Sequence, residues 1–145
     1  MGRHWRRAAV RCAAVVLAVA AGIPVASGIA AETKASAVPA KLVGRWTRTV
    51  TSADIKRTGG YGVAAGTVCT LTIKKGGATH LDCTNIGGFD GNIVAAGVNR
   101  VHINLGITSP NVYRWRVSGR LLTFTTLRDD VSDREAAMQG VWKRK

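Results

Sequence analysis

Apolar and polar residues alternate in short runs along most of the chain after residue 42. In the run 66–74, Cys69, Leu71 and Ile73 share one face and leave the intervening threonines to the other. Runs of this period-2 type, separated by turn-forming residues about every 8–12 positions, are typical of β-strands in a sandwich or barrel. The predicted strands are 43–51, 66–74, 78–84, 92–98, 100–107, 112–118, 120–127 and 141–144.

Two segments depart from the strand pattern and predict short helices. Ser52 precedes the sequence ADIKR and is suited to be the N-cap of a one-turn helix. Residues 132–135 read Ser-Asp-Arg-Glu, which predicts a capping box at the start of a helix that Gly140 ends. The glycine-rich segment 85–92, with the sequence NIGGFDGN, is predicted to be a loop.

The turn between the second and third strands predicts their register. If residues 75–77 form a three-residue loop whose last glycine is left-handed, Leu71 lies opposite Leu81 and Cys69 lies opposite Cys83. In an exported protein such a facing pair predicts a disulfide, and two buried free thiols are the alternative. A bridge that closes a loop of about 15 residues would stabilise the fold by about 3 kcal/mol.

The strand pattern predicts an all-β fold, an eight-stranded antiparallel up-and-down β-barrel with a short helix before the last strand. Closure of the meander removes the unpaired edges of an open sheet. It also pairs the first strand with the last, which brings Gly44-x-Trp46 beside Gly140-x-Trp142. We expect the glycines to let the backbone bend beside an indole that plugs the narrow end of the barrel, and Arg144 to stack on an indole.

These features resemble the lipocalin (calycin) superfamily, in particular its small secreted bacterial lipocalin-like domains. The opening at residues 44–51, GRWTRTVT, is similar to the GxWxRTVT opening of those domains. Their ending, an aspartate, a cysteine and an arginine followed by GxWxR, resembles residues 130–134 and 140–144, except that Ser132 stands where cysteine is expected. The resemblance implies a barrel that holds a small, largely apolar molecule, and it leaves the facing cysteine pair as the only disulfide.

Ligand-binding residues are not implied by the resemblance, because the pockets of such barrels are lined differently in each member. Candidate wall residues are large inward side chains of the predicted strands, with ordinary core as the alternative for most of them: Leu71, Leu105, Tyr113, Trp115 and Phe124. Tyr61 lies in the glycine-rich segment 58–66. It is a candidate lid over the barrel mouth, or part of an ordinary long loop.

The N-terminal sequence predicts a signal peptide, residues 1–30. An arginine-rich start without acidic residues is followed by the apolar segment 12–26 and then by small residues suited to cleavage. The Sec route fits this segment better than the twin-arginine route that Arg6-Arg7 would allow. The rest is predicted to be a flexible leader, 31–41, and one secreted domain, 42–145.

The formal net charge of +13 falls to +9 when the four arginines of the signal peptide are removed. Part of the remaining charge lies where Arg114 and Arg116 flank Trp115, and in the tail 143–145. The alternation of polar and apolar residues already explains these cations, because it places them on the solvated outer face of the barrel. The alternative is a surface that contacts an anionic cell envelope. Export argues against a nucleic acid partner.

No combination of residues predicts catalysis, a metal or another cofactor. The chain lacks a G-x-S-x-G motif, and the carboxylates at 129–133 are explained by the start of a helix. His80 and His102 fall on outward faces, and no Cys/His spacing is typical of zinc. We therefore expect a protein that is not an enzyme and has no cofactor.

The leading hypothesis is a secreted monomer that binds a small apolar molecule without chemistry. One alternative is a secreted protease inhibitor on a similar small barrel, with the leader entering the protease cleft. The other is a basic barrel that adheres to the cell envelope and holds no ligand.

Overall fold

The computed structural model describes residues 37–145 of the 145-residue chain. The predicted signal peptide, its cleavage site and residues 31–36 of the predicted leader lie outside the described residues. The end of that leader lies against the folded domain, because Val38 packs on the core and Ala40–Leu42 form a 3-10 helix with Leu42 buried. Within residues 37–145, no helix is both long enough and apolar enough to cross a membrane.

Eight antiparallel strands close into a barrel in which each strand pairs with its neighbours in chain order and the first pairs with the last. This is the up-and-down barrel that the alternation predicts. The strands are β1 (Gly44–Thr49), β2 (Val68–Ile73), β3 (Ala78–Cys83), β4 (Gly87–Ala95), β5 (Arg100–Asn104), β6 (Asn111–Ser118), β7 (Leu121–Asp129) and β8 (Gly140–Arg144). Helix α1 (Ser52–Thr58) follows β1, and the predicted short helix before the last strand is α2 (Ser132–Met138).

Alternate connections of an up-and-down barrel lie at opposite ends. The connections that contain α1 and α2 therefore share one end with the β3–β4 turn and the β5–β6 loop, and we call it the helical end. The 3-10 helix and the β2–β3, β4–β5 and β6–β7 turns lie at the other end, which we call the 3-10 end.

Side chains fill the barrel interior over most of its length. Tyr113 and Phe124 meet edge to face, with ring centroids 6.1 Å apart. The largest fully buried side chains around them come from every part of the barrel: Trp46, Trp142, Leu42, Leu71, Ile73, Ile93, Ile103, Leu122, Met138 and Val50. Burying one such aliphatic side chain stabilises the fold by about 1.5–3 kcal/mol, so this core is the main source of stability.

The first and last strands meet at a seam that contains two stacked pairs of arginine and tryptophan. Trp46 lies opposite Arg144 in the β1–β8 register. The guanidinium carbon of Arg144 lies 4.5 Å from the Trp46 ring centroid, and that of Arg48 lies 5.7 Å from the Trp142 ring centroid. The predicted pairing of the two tryptophan strands is thus confirmed.

Each indole of the seam is tied to a different end of the barrel. The Trp46 Nε1–H donates to the carbonyl of Leu42 in the 3-10 helix, at 2.9 Å. The Trp142 Nε1–H donates to the carbonyl of Met138 at the end of α2, also at 2.9 Å. The two rings therefore connect the seam to the 3-10 helix at one end of the barrel and to α2 at the other.

The β2–β3 hairpin has the register that its turn predicts. Leu71 pairs with Leu81, and Cys69 pairs with Cys83. Gly77 is left-handed, with φ of 92°. The two cysteines form a disulfide with their Cα atoms 4.1 Å apart, so the bridge is confirmed and the alternative of free thiols is wrong.

Strand β4 begins at Gly87, so the prediction of a loop over residues 85–92 is wrong for most of that segment. Its glycines are typical of turns, but the segment pairs with β3, and the pairing begins where Gly87 lies opposite Cys83. Glycine also has a packing reason here, since a Cβ at Gly91 would lie 1.7 Å from the Asn104 carbonyl oxygen of β5.

The helix starts differ from the predictions. The N-cap of α1 is Thr51 rather than Ser52, and Thr51 forms a capping box with Asp54. The N-cap of α2 is Val131, which has no side chain able to accept a hydrogen bond, so the predicted capping box at residues 132–135 is wrong. Ser132 is the first residue of that helix and not its N-cap. The carboxylate of Asp133 accepts a hydrogen bond from the backbone N–H of Gly62 at 2.9 Å.

Candidate functional site

A cavity of about 230 Å³ opens at the helical end of the barrel. Its wall comes from segments that are distant in sequence: the α1–β2 loop, the β3–β4 hairpin, the β5–β6 loop and α2. The apolar lining residues are Val63, Leu81, Cys83, Ile86, Phe89, Leu105, Ile107, Val131 and Ala137. The topology brings these segments together, because all four connections of this end converge around the opening.

Two of the lining side chains remain partly in water although they are large and apolar. Phe89 is 37% exposed and Ile107 is 43% exposed, whereas Leu81 and Leu105 in the same wall are buried. Exposed apolar area beside a cavity is typical of binding sites. A ligand that covers Phe89 and Ile107 would remove this area from water, which favours binding.

A buried polar cluster holds one side of the cavity in place. Arg134 Nη2 lies 2.6 Å from Asp129 Oδ1, and both side chains are almost completely buried. The hydroxyl of Tyr113 donates to the same carboxylate. Arg134 also donates to the carbonyls of Ile107 and Ser109, at 3.3 and 3.2 Å. The cluster therefore ties α2 to β6, β7 and the β5–β6 loop.

The charges of this cluster compensate one another. Burial and the Asp129 carboxylate raise the pKa of Tyr113, so the phenol stays protonated. Burial alone would lower the pKa of Arg134, but the hydrogen bonds and charge of Asp129 outweigh burial and raise it. Because Arg134 and Asp129 neutralise each other, the charge that the lining leaves unpaired is the carboxylate of Asp133.

The predicted wall residues separate into cavity and core. Leu105 lines the cavity. Leu71, Tyr113 and Phe124 are buried in the filled interior instead, and Tyr113 is linked to the cavity wall only through Asp129 and its partner Arg134. Alternation identifies inward residues correctly, but it does not distinguish those in the packed middle of the barrel from those at the open end.

The other two predicted contacts lie away from the cavity. Tyr61 is 99% exposed on the α1–β2 loop, so its side chain does not cover the opening in this structure. Trp115 is partly buried and packs against the core near the 3-10 end, in a separate depression with Lys41. The neighbour of Tyr61 along the chain, Gly62, does line the cavity.

Several cavity residues escaped the sequence analysis. Alternation placed Leu81 and Cys83 inward, but only as a strand face and a disulfide. Val63, Ile86 and Ala137 lie in loops and a helix, where no period-2 signal selects them. The topology could have identified these residues, because a closed meander places the α1–β2 loop and the helix before the last strand at the same end of the barrel.

A second charged cluster joins β1, α1 and α2. Arg48 Nη2 and Arg57 Nη2 each lie 2.6 Å from a carboxylate oxygen of Asp54, and Arg48 also donates to the carbonyl of Ala137 at 3.2 Å. Burial would raise the pKa of Asp54, but the hydrogen bonds from Thr51 and Arg57 and the charge of Arg48 lower it. Burial lowers the pKa of Arg48, and Asp54 opposes that effect.

Metal ligands are not grouped in the part of the chain that the structure describes, where no set of three or more His, Cys, Asp or Glu side chains could hold an ion. His80 Nδ1 lies 2.8 Å from Asp90 Oδ1 across β3 and β4, at the surface. The Nδ1 atom of His102 contacts the carbonyl of Asn111. Both histidines are exposed, as the alternation predicts.

No protein-family model matches this chain, and neither a curated protein nor a solved structure matches it. The closed eight-stranded barrel with a short helix before its last strand is compatible with a lipocalin-like fold.

Proposed function

We propose that the protein is a secreted, non-catalytic, lipocalin-like monomer that binds a small, largely apolar ligand at the helical end of its barrel. The observation that carries this proposal is the cavity of about 230 Å³ with its largely apolar wall. Its position supports the proposal, because it opens at the end opposite the 3-10 helix and the Trp46 indole that close the barrel. The resemblance of the two terminal motifs to lipocalin-like domains supports it independently.

The dimensions of the cavity restrict the ligand. Its volume of about 230 Å³ lies below the about 300–1,000 Å³ of sites that enclose a drug-sized molecule. The ligand is therefore a small molecule, or the apolar end of a longer one whose remainder lies over Phe89 and Ile107. An uncharged apolar group is favoured at the apolar wall, since a charge against those side chains would lose its hydration, and only a cation beside the Asp133 carboxylate would gain a partner.

The disulfide supports secretion. A bridge such as Cys69–Cys83 forms and persists mainly in oxidising compartments outside the cytoplasm. The signal-like N-terminal sequence points to the same compartment.

Native mass spectrometry of the protein purified from the culture fluid of its producing cells tests this function. We expect a co-purifying small molecule in the wild type. Ala137→Leu adds carbon atoms to the cavity wall and should lower the occupancy, whereas Ala53→Leu, at an exposed position of α1, should leave it unchanged. A protein without a bound molecule, or equal occupancy in both variants, would contradict the proposal.

A secreted protease inhibitor is the second candidate function. The filled middle of the barrel favours it, because side chains such as Tyr113 and Phe124 leave no ligand space there. In this case the leader before Val38 would enter the cleft of an exported protease. A co-purifying protease, with inhibition that disappears when residues 31–36 are removed, would select this function over the first.

A further inference from the structure

A second depression, of about 340 Å³, lies at the 3-10 end against β6. Its lining brings together residues from the 3-10 helix, the β4–β5 turn and β6: Lys41, Asn99, Arg114, Trp115, Arg116 and Val117. We call it the basic groove. It is separated from the apolar cavity by the packed core, so the two sites are independent.

The cations of the basic groove have no compensating charge within residues 37–145. Lys41, Arg114 and Arg116 are exposed, and none of them forms an ion pair with a described residue. No acidic residue lines the groove. In addition, Arg100 of β5 lies directly opposite Arg114. Like charges at directly opposed positions destabilise an antiparallel pair, so the fold itself gains nothing from this arrangement.

Trp115 lines the groove and carries a polar group without a partner. Its Nε1–H is buried and has no hydrogen-bond acceptor among the described residues. The other two indoles of the barrel, Trp46 and Trp142, both donate to backbone carbonyls. Buried tryptophan N–H groups usually find a partner, so Trp115, a residue of the groove wall, retains an unsatisfied donor on the core side of β6.

We propose that the basic groove binds a phosphate group. Guanidinium groups such as those of Arg114 and Arg116 bind phosphate oxygens in a bidentate way, and the ammonium of Lys41 adds a point charge. Three uncompensated cations suit the double charge of a phosphate monoester better than the single charge of a carboxylate. The phosphate monoester belongs either to a soluble compound or to a phospholipid whose headgroup ends in a phosphate monoester, such as phosphatidic acid. This inference does not rest on the proposed ligand of the apolar cavity.

Titration of the nitrogen-15-labelled protein with inorganic phosphate, at constant ionic strength set by chloride, tests the site by NMR. We expect a saturable shift of the Trp115 indole N–H signal, while the indole signals of Trp46 and Trp142 stay in place. The double variant Arg114→Gln/Arg116→Gln should weaken this response about tenfold or more, because it removes two charge-assisted donors.

The matched control is Arg45→Gln/Lys143→Gln, which removes two exposed charges of the barrel exterior outside the groove. It should leave the phosphate response unchanged. A Trp115 signal that does not respond to phosphate would overturn the proposal. So would an equal loss of response in both double variants, because that result indicates general charge attraction.

Vesicles distinguish the two sources of phosphate. Cosedimentation is measured with vesicles of phosphatidic acid and phosphatidylcholine, and with vesicles of phosphatidylcholine alone. Binding to the anionic vesicles that is lost in Arg114→Gln/Arg116→Gln, but not in the control, supports the site with a lipid headgroup as its ligand. A phosphate response without vesicle binding supports the site with a soluble phosphate compound as its ligand.

Discussion

The guanidinium carbon of Arg144 lies 4.5 Å from the centre of the Trp46 ring, across the seam where the barrel closes. A second pair reverses the roles of the two strands, since Arg48 of β1 lies over Trp142 of β8. Both strands carry the pattern Gly-x-Trp-x-Arg, at residues 44–48 and 140–144. Each strand therefore supplies one indole and the cation for the other strand's indole, and the repeated sequence at the two ends of the domain is explained by this exchange.

The backbone contacts of the two arginines repeat in the same way. Arg144 donates to the carbonyl of Lys41, and Arg48 donates to the carbonyl of Ala137. Each acceptor lies five residues before the tryptophan on which its arginine stacks. The seam thus joins the 3-10 helix at one end and α2 at the other to the closure of the barrel.

Arg144→Ala removes the stacking on Trp46 and the hydrogen bonds to the carbonyls of Lys41 and Val43. We expect the free energy of unfolding to fall by about 1–3 kcal/mol, from a cation–π contact and two partly exposed hydrogen bonds. Urea denaturation measures this loss. Lys143→Ala, at the exposed neighbouring position, should change the free energy by less than about 0.5 kcal/mol. Equal losses in the two variants would show that the stacked pair does not stabilise the seam.

Substitution of Gly44 or Gly140 by alanine should lower the stability of the fold, and the loss should be larger at Gly140. Their φ angles are 146° and 123°, which side-chain-bearing residues rarely adopt. A Cβ at Gly140 would lie 3.1 Å from Cζ of Arg48, whereas a Cβ at Gly44 would lie 3.6 Å from Cζ of Arg144. Strain of this kind costs about 1–3 kcal/mol. Thermal unfolding of the two alanine variants should show the larger loss for Gly140→Ala, and the reverse order would contradict the packing at the seam.

Removal of the disulfide should lower stability without changing the fold. Cys69 and Cys83 are separated by 14 positions in the sequence. A loop of this length predicts a loss of about 2–4 kcal/mol in the double alanine variant. Urea denaturation with and without a reductant measures the effect. Fully reduced wild type should behave like the variant, and the variant should not respond to the reductant. If the fully reduced wild type keeps its unfolding midpoint, the predicted role of the bridge is wrong.

The ion pair of Asp54 with Arg48 should make stability depend on pH in the acid range. The pKa of Asp54 is lowered in the folded state, so the unfolded chain binds more protons between the folded pKa and the ordinary value of about 3.9. Its contribution is therefore fully present above about pH 4 and is lost as the pH falls through the folded pKa.

Urea denaturation from pH 2 to pH 7 measures this dependence. Asp54→Asn should flatten the acid part of the profile and lower stability at pH 7 by about 3–5 kcal/mol, since the buried Arg48 loses its partner. Asp130→Asn removes the partner of an exposed pair with Arg128 and should cost less than about 1 kcal/mol. An Asp54→Asn variant with the wild-type acid profile would contradict the assignment.

Local rules predicted the parts of the fold that depend on local geometry. The left-handed glycine at 77 and the alternation in β2 and β3 predict a register that pairs Leu71 with Leu81 and Cys69 with Cys83, and the structure has that register. The approach of the two tryptophan strands followed from closure alone. Each of these predictions needed only the two-residue period, the turn chemistry and the absence of free edges.

Tertiary contacts determine the parts of the structure that the sequence pattern predicted wrongly or not at all. The glycines of β4 have turn-like composition, but pairing with β3 and the close approach of Gly91 to Asn104 make that segment a strand. The cavity could not be predicted residue by residue, because side chains such as Val63 and Ala137 meet only after the barrel has closed. Leu71 and Leu105 look equivalent in sequence, and only their height along the barrel separates core from cavity wall.

Methyl NMR during a titration with hexanol tests the central claim, that the helical end holds a small apolar ligand. We predict saturable shifts for the methyl signals of Val63, Leu81 and Leu105, which line the cavity, and no shift for Leu71 and Leu122 in the packed core. Absent shifts at the cavity methyls, or shifts of equal size in the core, would contradict the claim.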